Sequence, residues 1–204
     1  FNSGSYFEVG ANGLVTTSAT KSGGDAGALY LYSGGVAINR GTIEANGADG
    51  GGNAASVGFE ADSFLYNTGT LTSNGGANDA GDGGYGDQVY MYAYNASLFT
   101  SGDIIVNGGG ATATGGYVNN GIYIYGGDDD YGDTVVGGTL TTNGGDGAAG
   151  GGGYAGAIDI YSENSGAILV NAVINANGGD GMGAGFSGGD GGDLYFYQYP
   201  GEDY

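Results

Sequence analysis

Cysteine, histidine and tryptophan are absent from this chain of 204 residues, and proline occurs once. No disulfide can frame the fold, and the redox compartment cannot be read from the sequence. Without histidine or cysteine the usual imidazole base and thiol nucleophile are missing. Paired carboxylates alone can cleave sugars, but the acids here lie in glycine-rich stretches with no rigid surroundings, so no enzyme is expected. Positive charge is nearly absent too: Lys21 and Arg40 stand against 22 acidic residues, for a net charge of −20. Such a chain cannot neutralise phosphates, which excludes nucleic acid as a partner, and it is repelled by anionic membranes. No apolar run reaches the roughly 18 residues of a transmembrane helix, so no membrane insertion is expected. No leader segment is visible, and Phe1 opens the chain as a processed or excerpted chain would. Sparse lysine with abundant Gly, Asn, Thr, Ser and Tyr accompanies exported proteins, and an extracellular or cell-surface location is the expectation.

What the chain has in excess is glycine, 52 residues of it. One proline and the lack of a strict three-residue period exclude collagen. Disorder is disfavoured because apolar segments recur in step. GTIEANG at 41–47 returns as GTLTSNG at 69–75, GDIIVNG at 102–108 and GTLTTNG at 138–144, with looser copies GLVTTSA at 13–19 and AVINANG at 172–178. After each comes a glycine-rich stretch, and in five of the six repeats an alternating segment follows: LYLY, VYMY, IYIY, IDIY and LYFY. A repeat of roughly 28 to 36 residues marks a solenoid. Each repeat holds three strand candidates, the third being shorter (Val36 to Ile38, Phe64 to Tyr66, Leu98 and Phe99, Val135 and Val136, Ile168 to Val170). Nothing has helical period. The expected fold is therefore all-β: one domain spanning 1–204, a parallel and right-handed β-helix of six coils with three short strands per coil. Strands would stack at about 4.8 Å, so six coils span on the order of 29 Å. The glycine-rich stretches and the turns before the third strands are expected to project from the edges.

Two ladders follow from the alignment. Asn46, Asn74, Asn107, Asn143 and Asn177 share one position, with Ser18 in the first repeat. They are expected to hydrogen-bond along the axis and close a turn in the αL conformation. Tyr32, Tyr92, Tyr125, Tyr161 and Tyr197 share another, beside Tyr30, Tyr90, Tyr123 and Tyr195. Strand alternation turns these rings outward, with gaps at Gly58, Glu60 and Asp159. The stripe has three readings: cross-strand stacking on an exposed sheet, a face covered by glycine loops or a neighbouring chain, or a platform for sugar rings.

Other chemistry is weaker. The acids Asp128, Asp129, Asp130 and Asp133 offer the oxygen donors calcium takes, against the plain reading of solvated loop charge. GGDGGDLYF at 188–196 fits the calcium-binding nonapeptide spacing once, but without a tandem copy. An ice-binding threonine array is broken by Leu14, Asp103 and Val173. No phosphate loop is present, since no GK[ST] follows the glycines. Asn95-Ala96-Ser97 is the one glycosylation sequon.

The ends bear on assembly. SYFEV at 5–9 reads as a third strand, and the chain stops after the second strand of the sixth coil. Open solenoid ends expose strand edges and core. Tyr6, Phe7 and Val9 at one end and Leu194 and Phe196 at the other are the expected contact residues for a head-to-tail homopolymer.

The stretch GTLTTNGGDGAAGGGGYAGAIDIYS at 138–162 resembles the glycine-rich repeats of bacterial and archaeal secreted surface proteins and adhesins. Those run G-T-I-x-x-x-G-G-x-G, a glycine-rich loop, then a strand. The pattern covers nearly the whole chain. The resemblance implies a β-helix at the cell exterior used in adhesion, cell coats or fibres, and it carries no catalytic residues across. The function expected is a structural subunit of an extracellular filament or cell-surface fibre. The alternative is an adhesin or stalk binding cell-surface polysaccharide through its tyrosines.

Overall fold

Alternation of apolar and small residues over three to five positions, broken by glycine, permits short strands and little else. The computed structural model describes residues 1–127, 132–163 and 166–199, and all regular structure in them is β. The YxY segments and their equivalents form a seven-stranded parallel sheet of β1 (Asn2–Ser3), β4 (Leu29–Ser33), β7 (Val57–Ala61), β10 (Gly86–Ala93), β13 (Val118–Gly126), β15 (Ala157–Ser162) and β17 (Leu194–Gln198). Third strands are β2 (Tyr6–Val9), β5 (Val36–Asn39), β8 (Phe64–Asn67) and β11 (Leu98–Thr100). First strands are β3 (Leu14–Thr16), β6 (Thr42–Glu44), β9 (Thr70–Thr72) and β12 (Ile104–Asn107). Each pairs in parallel with its equivalent one coil away, giving the expected β-solenoid of about six turns.

Three expectations change. The three ladders make two sheets. β14 (Thr134–Asn143) and β16 (Ile168–Asn175) each run from a third strand into the next first strand, joining both ladders into one ten-stranded sheet. Alternation carries through the join: Thr134, Val136, Leu140 and Thr142 are all buried, with Gly138 at φ +74° between them. The chain also opens at the tail of a second strand, because Asn2 and Ser3 pair with Tyr32 and Ser33. SYFEV then supplies β2 as expected. The third change concerns the glycines.

The core lies between the two sheets. One inward column is Leu31, Phe59, Met91, Ile124 and Ile160, and another is Ile43, Leu71, Ile104 and Leu140. All nine are at most 2% exposed. Polar residues also enter the interior in a ladder: Asn39 Nδ2 donates to Asn67 Oδ1 at 2.8 Å, and Asn67 Nδ2 to Thr100 Oγ1 at 3.0 Å. Among the described residues no buried side-chain nitrogen or oxygen lacks a partner, which is the condition for burying amides without a large penalty.

The glycine-rich stretches do not simply project. Their outer tips do, and even these stack through bridges from Asn78 to Ala111, Gly147 and Gly181. Their bases are drawn into the body by a zigzag of backbone hydrogen bonds along the axis. Gly76 N–H donates to Gly52 C=O, Gly84 to Gly76, Gly109 to Gly84, Gly116 to Gly109, Gly145 to Gly116, Gly153 to Gly145, Gly179 to Gly153 and Gly189 to Gly179, each at 2.8 or 2.9 Å. Bonds within a coil alternate with bonds to the next. The backbones approach so closely that a Cβ at Gly84, Gly116, Gly153 or Gly189 would lie 2.0 Å from a carbonyl oxygen of the neighbouring coil. The glycine ending each NG pair is equally constrained within its coil: a Cβ at Gly108 or Gly144 would lie 1.8 Å from Gly116 O or Gly153 O.

Gly116→Ala is therefore expected to destabilise the protein by about 3 kcal/mol or more, through forced separation of two coils. Gly110→Ala is the control, since its Cβ would meet nothing nearer than 4.0 Å and should change stability by less than about 0.5 kcal/mol. Urea unfolding of the two variants beside the wild type checks the contrast.

Candidate functional site

Strand alternation places three columns on the outer face of the seven-stranded sheet. In register across the coils run Tyr30, Gly58, Tyr90, Tyr123, Asp159 and Tyr195, and beside them Tyr32, Glu60, Tyr92, Tyr125, Tyr161 and Tyr197. Every tyrosine expected in the ladder takes its place. Tyr94 and Tyr199, two residues further along their chains, extend the patch in a third column that the alignment of YxY segments had not shown. Its signal was the same alternation continued by one step.

The rings stack mainly on each other. Tyr92 and Tyr125 have centroids 4.3 Å apart at 11°, and Tyr161 and Tyr197 are 5.1 Å apart at 16°. Tyr123 and Tyr161 lie 4.9 Å apart, tilted. Tyr125, although on the outer face, is only 6% exposed, whereas Tyr30 at the first coil is 50% exposed. Ring faces are thus spent on neighbouring rings, and edges and hydroxyls are what the column offers outward. This is the geometry of cross-strand aromatic pairing.

The gap in the second coil is a socket. Gly58 leaves room for Tyr90 to lean over it: a Cβ there would lie 2.4 Å from the Tyr90 hydroxyl oxygen. Tyr90 then donates to Glu60 Oε1 at 2.8 Å, and Tyr94 donates to Oε2 at 2.7 Å. Tyr32 donates to Asp62 at 2.6 Å and Tyr195 to Asp193 at 3.0 Å. Glu60, Asp62 and Asp193 on this face are thus each met by phenols. Burial, followed by the hydrogen bonds to Glu60 and its charge, raises the Tyr90 and Tyr94 phenols well above their ordinary value. Burial first, then the charges of Tyr161 and Asp159, pushes Tyr123 up to about 12. Asp159 is raised as well, by burial and by Asp193.

The asparagine ladder forms, with the backbone as donor. The amide N–H of Asn74 donates to Asn46 Oδ1 at 2.8 Å, Asn107 to Asn74 at 2.9 Å, Asn143 to Asn107 at 3.0 Å and Asn177 to Asn143 at 3.2 Å. Ser18 Oγ starts it by accepting from Asn46 N–H. These side chains carry the ladder past the end of the first strand. The buried Asn39–Asn67 pair was not foreseen, although VAIN and FLYN show the same residue at the same strand position.

Of the acids proposed for calcium, Asp128, Asp129 and Asp130 lie outside the described residues. Asp133 Oδ1 accepts the Ala167 N–H at 2.9 Å, a structural use. Among the described residues no three acidic groups gather where they could hold a metal ion, and no helix is long and apolar enough to cross a membrane.

The expected contact residues at the ends divide. Phe7 and Val9 point inward, Val9 being buried. Tyr6 faces outward in register with Val36, and its hydroxyl donates to Glu8. Leu194 and Phe196 continue inward columns yet are 42% and 47% exposed, because the described structure has no rung beyond them.

Two outcomes follow. Folded-state phenol pKa values raised above the unfolded value of about 10 leave stability intact below that pH. It falls as pH climbs from about 10 towards 12, where the unfolded chain ionises first; unfolding midpoints at stepped alkaline pH, with phenolate absorbance, check this. Glu60→Ala, which strands two phenol donors, should cost about 1–2 kcal/mol in urea unfolding.

Compared with known protein families, with curated proteins and with solved structures, the chain matches none.

Proposed function

We propose that this protein is a structural subunit of an extracellular filament or cell-surface fibre, assembled by head-to-tail stacking of coils. The observation that carries the reading is the match of inward columns at the two axial ends. The column Phe7, Ala37, Leu65, Leu98, Thr134 and Ile168 begins and ends on an apolar residue, as does Val15, Ile43, Leu71, Ile104, Leu140 and Ile174. At the amino end, the Phe1 carbonyl accepts from Tyr32 N–H and the Phe1 amino group donates to Tyr30 O, which sets Phe1 opposite Leu31. A second copy stacked in step would thus lay Phe1 on Phe196, Phe7 on Ile168 and Val15 on Ile174. Further coils of a longer chain would be received by the same columns, and the experiment below uses the 204-residue chain itself.

The extracellular placement rests on composition, scarce lysine with abundant Gly, Ser, Thr and Tyr. The polysaccharide alternative has less to work with, since interior ring faces already contact other rings. Charge sets the conditions for assembly. Units of −20 repel until salt shortens the screening length to about 10 Å or less, or until cations bridge the carboxylates.

Electron microscopy and light scattering of the purified chain should show filaments that lengthen with salt or added calcium. Phe196→Asp, which puts a charge on the half-exposed last rung of an inward column, should raise the critical concentration by about tenfold or more, with far-UV circular dichroism showing that the coil beneath it stays folded. A wild type that stays monomeric at every salt and calcium concentration would sink the reading.

A further inference from the structure

The outer face of the ten-stranded sheet carries an apolar stripe. Ile38, Tyr66, Phe99, Val135 and Leu169 stand in register on five successive coils. Tyr66 and Phe99 stack at 5.0 Å and 13°, and Phe64 stacks on Tyr66 at 6.3 Å. At the first coil the stripe ends on Glu8, which is held by Arg40 at 3.0 Å. The next column across the face alternates in character, with Thr42, Thr70 and Thr139 interrupted by Leu14, Asp103 and Val173.

This face also differs from the rest of the molecule in charge. On it or at its strand ends lie four carboxylates, Glu8, Glu44, Asp103 and Asp133, and one guanidinium, Arg40, which sum to −3. The other described residues carry thirteen carboxylates and Lys21, a sum of −12. Other sideways approaches bring together the carboxylates of the glycine edge, such as Asp49 and Asp79, or of the tyrosine face, such as Glu60 and Asp62, whereas this one brings together an apolar stripe flanked by fewer described charges.

We infer that two copies pair side by side through this face, stripe against stripe. The occupant is a second copy presenting the same surface, an isologous contact that closes on itself. Size supports it. Five rungs at about 4.8 Å by eight or nine residues at about 3.3 Å give roughly 700 Å² per copy, close to the roughly 800 Å² per partner of a standard interface. A contiguous apolar stripe of this length is seldom left bare on a soluble protein. The inference deepens the fibre reading by giving it a lateral contact, and it does not depend on axial stacking.

The test is sedimentation equilibrium of the chain at about 0.5 M salt, where long-range repulsion is screened. The wild type should associate laterally, and Tyr66→Glu with Phe99→Glu should weaken that association by about a hundredfold. Both substitutions point outward, so far-UV circular dichroism should match the wild type, while the unfolding midpoint should fall because a ring pair is lost and two like charges stand in register. Val135→Lys, a single change on the same stripe, carries the test if the double variant fails to fold. Phe196→Asp separates the two contacts: it should raise the concentration needed for long filaments by about tenfold or more and leave lateral pairs. Equal association of the wild type and a folded stripe variant overturns the inference, and so does a wild type that forms only single-width filaments or monomers.

Discussion

The close approach of backbones along the glycine seam is the constraint on which the rest depends. A solenoid coil must close, and here the path between its first and second strands turns back within hydrogen-bonding distance of itself. The N–H of Gly116 reaches Gly109 in its own coil, and the N–H of Gly145 reaches Gly116 from the next. No side chain fits between them. Glycine costs conformational entropy, so its use in two columns signals a steric demand. Once the seam is closed, each coil is pinned to its neighbours on an edge where no conventional strand could run. The two sheets then face each other across a core narrow enough for single layers of Ile, Leu and Phe to fill.

The seam also explains how polar residues serve this fold. At several points where the backbone leaves a ladder, a short oxygen-bearing side chain from the previous coil takes the next amide: Asn46 for Asn74, Asn53 for Tyr85, Asp133 for Ala167. Stacking satisfies donors that a turn would otherwise leave open. Some of the acidity is therefore structural. On the tyrosine face, carboxylates such as Glu60 organise rings, and the ring stack in turn covers the sheet. Among the described residues the apolar stripe on the opposite sheet has no such cover, and the proposed lateral contact would supply it.

The proposed assembly would rest on the same geometry. A stack of near-identical coils has no intrinsic reason to stop, because each end presents the columns that the other end continues. Apolar ends and an uncharged stripe favour association, while a charge of −20 opposes it over a range that salt controls. The proposed fibre would form only when that charge is screened.

Much of this was legible in the residues. The six motif copies and their alternation determined the class of fold, the coil count, the inward residues and the outward tyrosines, because strand periodicity is local and survives without the structure. Tertiary closure decided the rest. Gly58 and Glu60 read as a break in the ladder, yet Tyr90 needs the one for space and the other as acceptor, from a coil about 30 residues away. Asn39 and Asn67 read as ordinary strand polar residues until stacking buried them against each other. The glycines read as loops, because composition records their flexibility and cannot record that two columns of backbone meet. Two-residue alternation tells which way a side chain points; only the closed coil sets what it meets there.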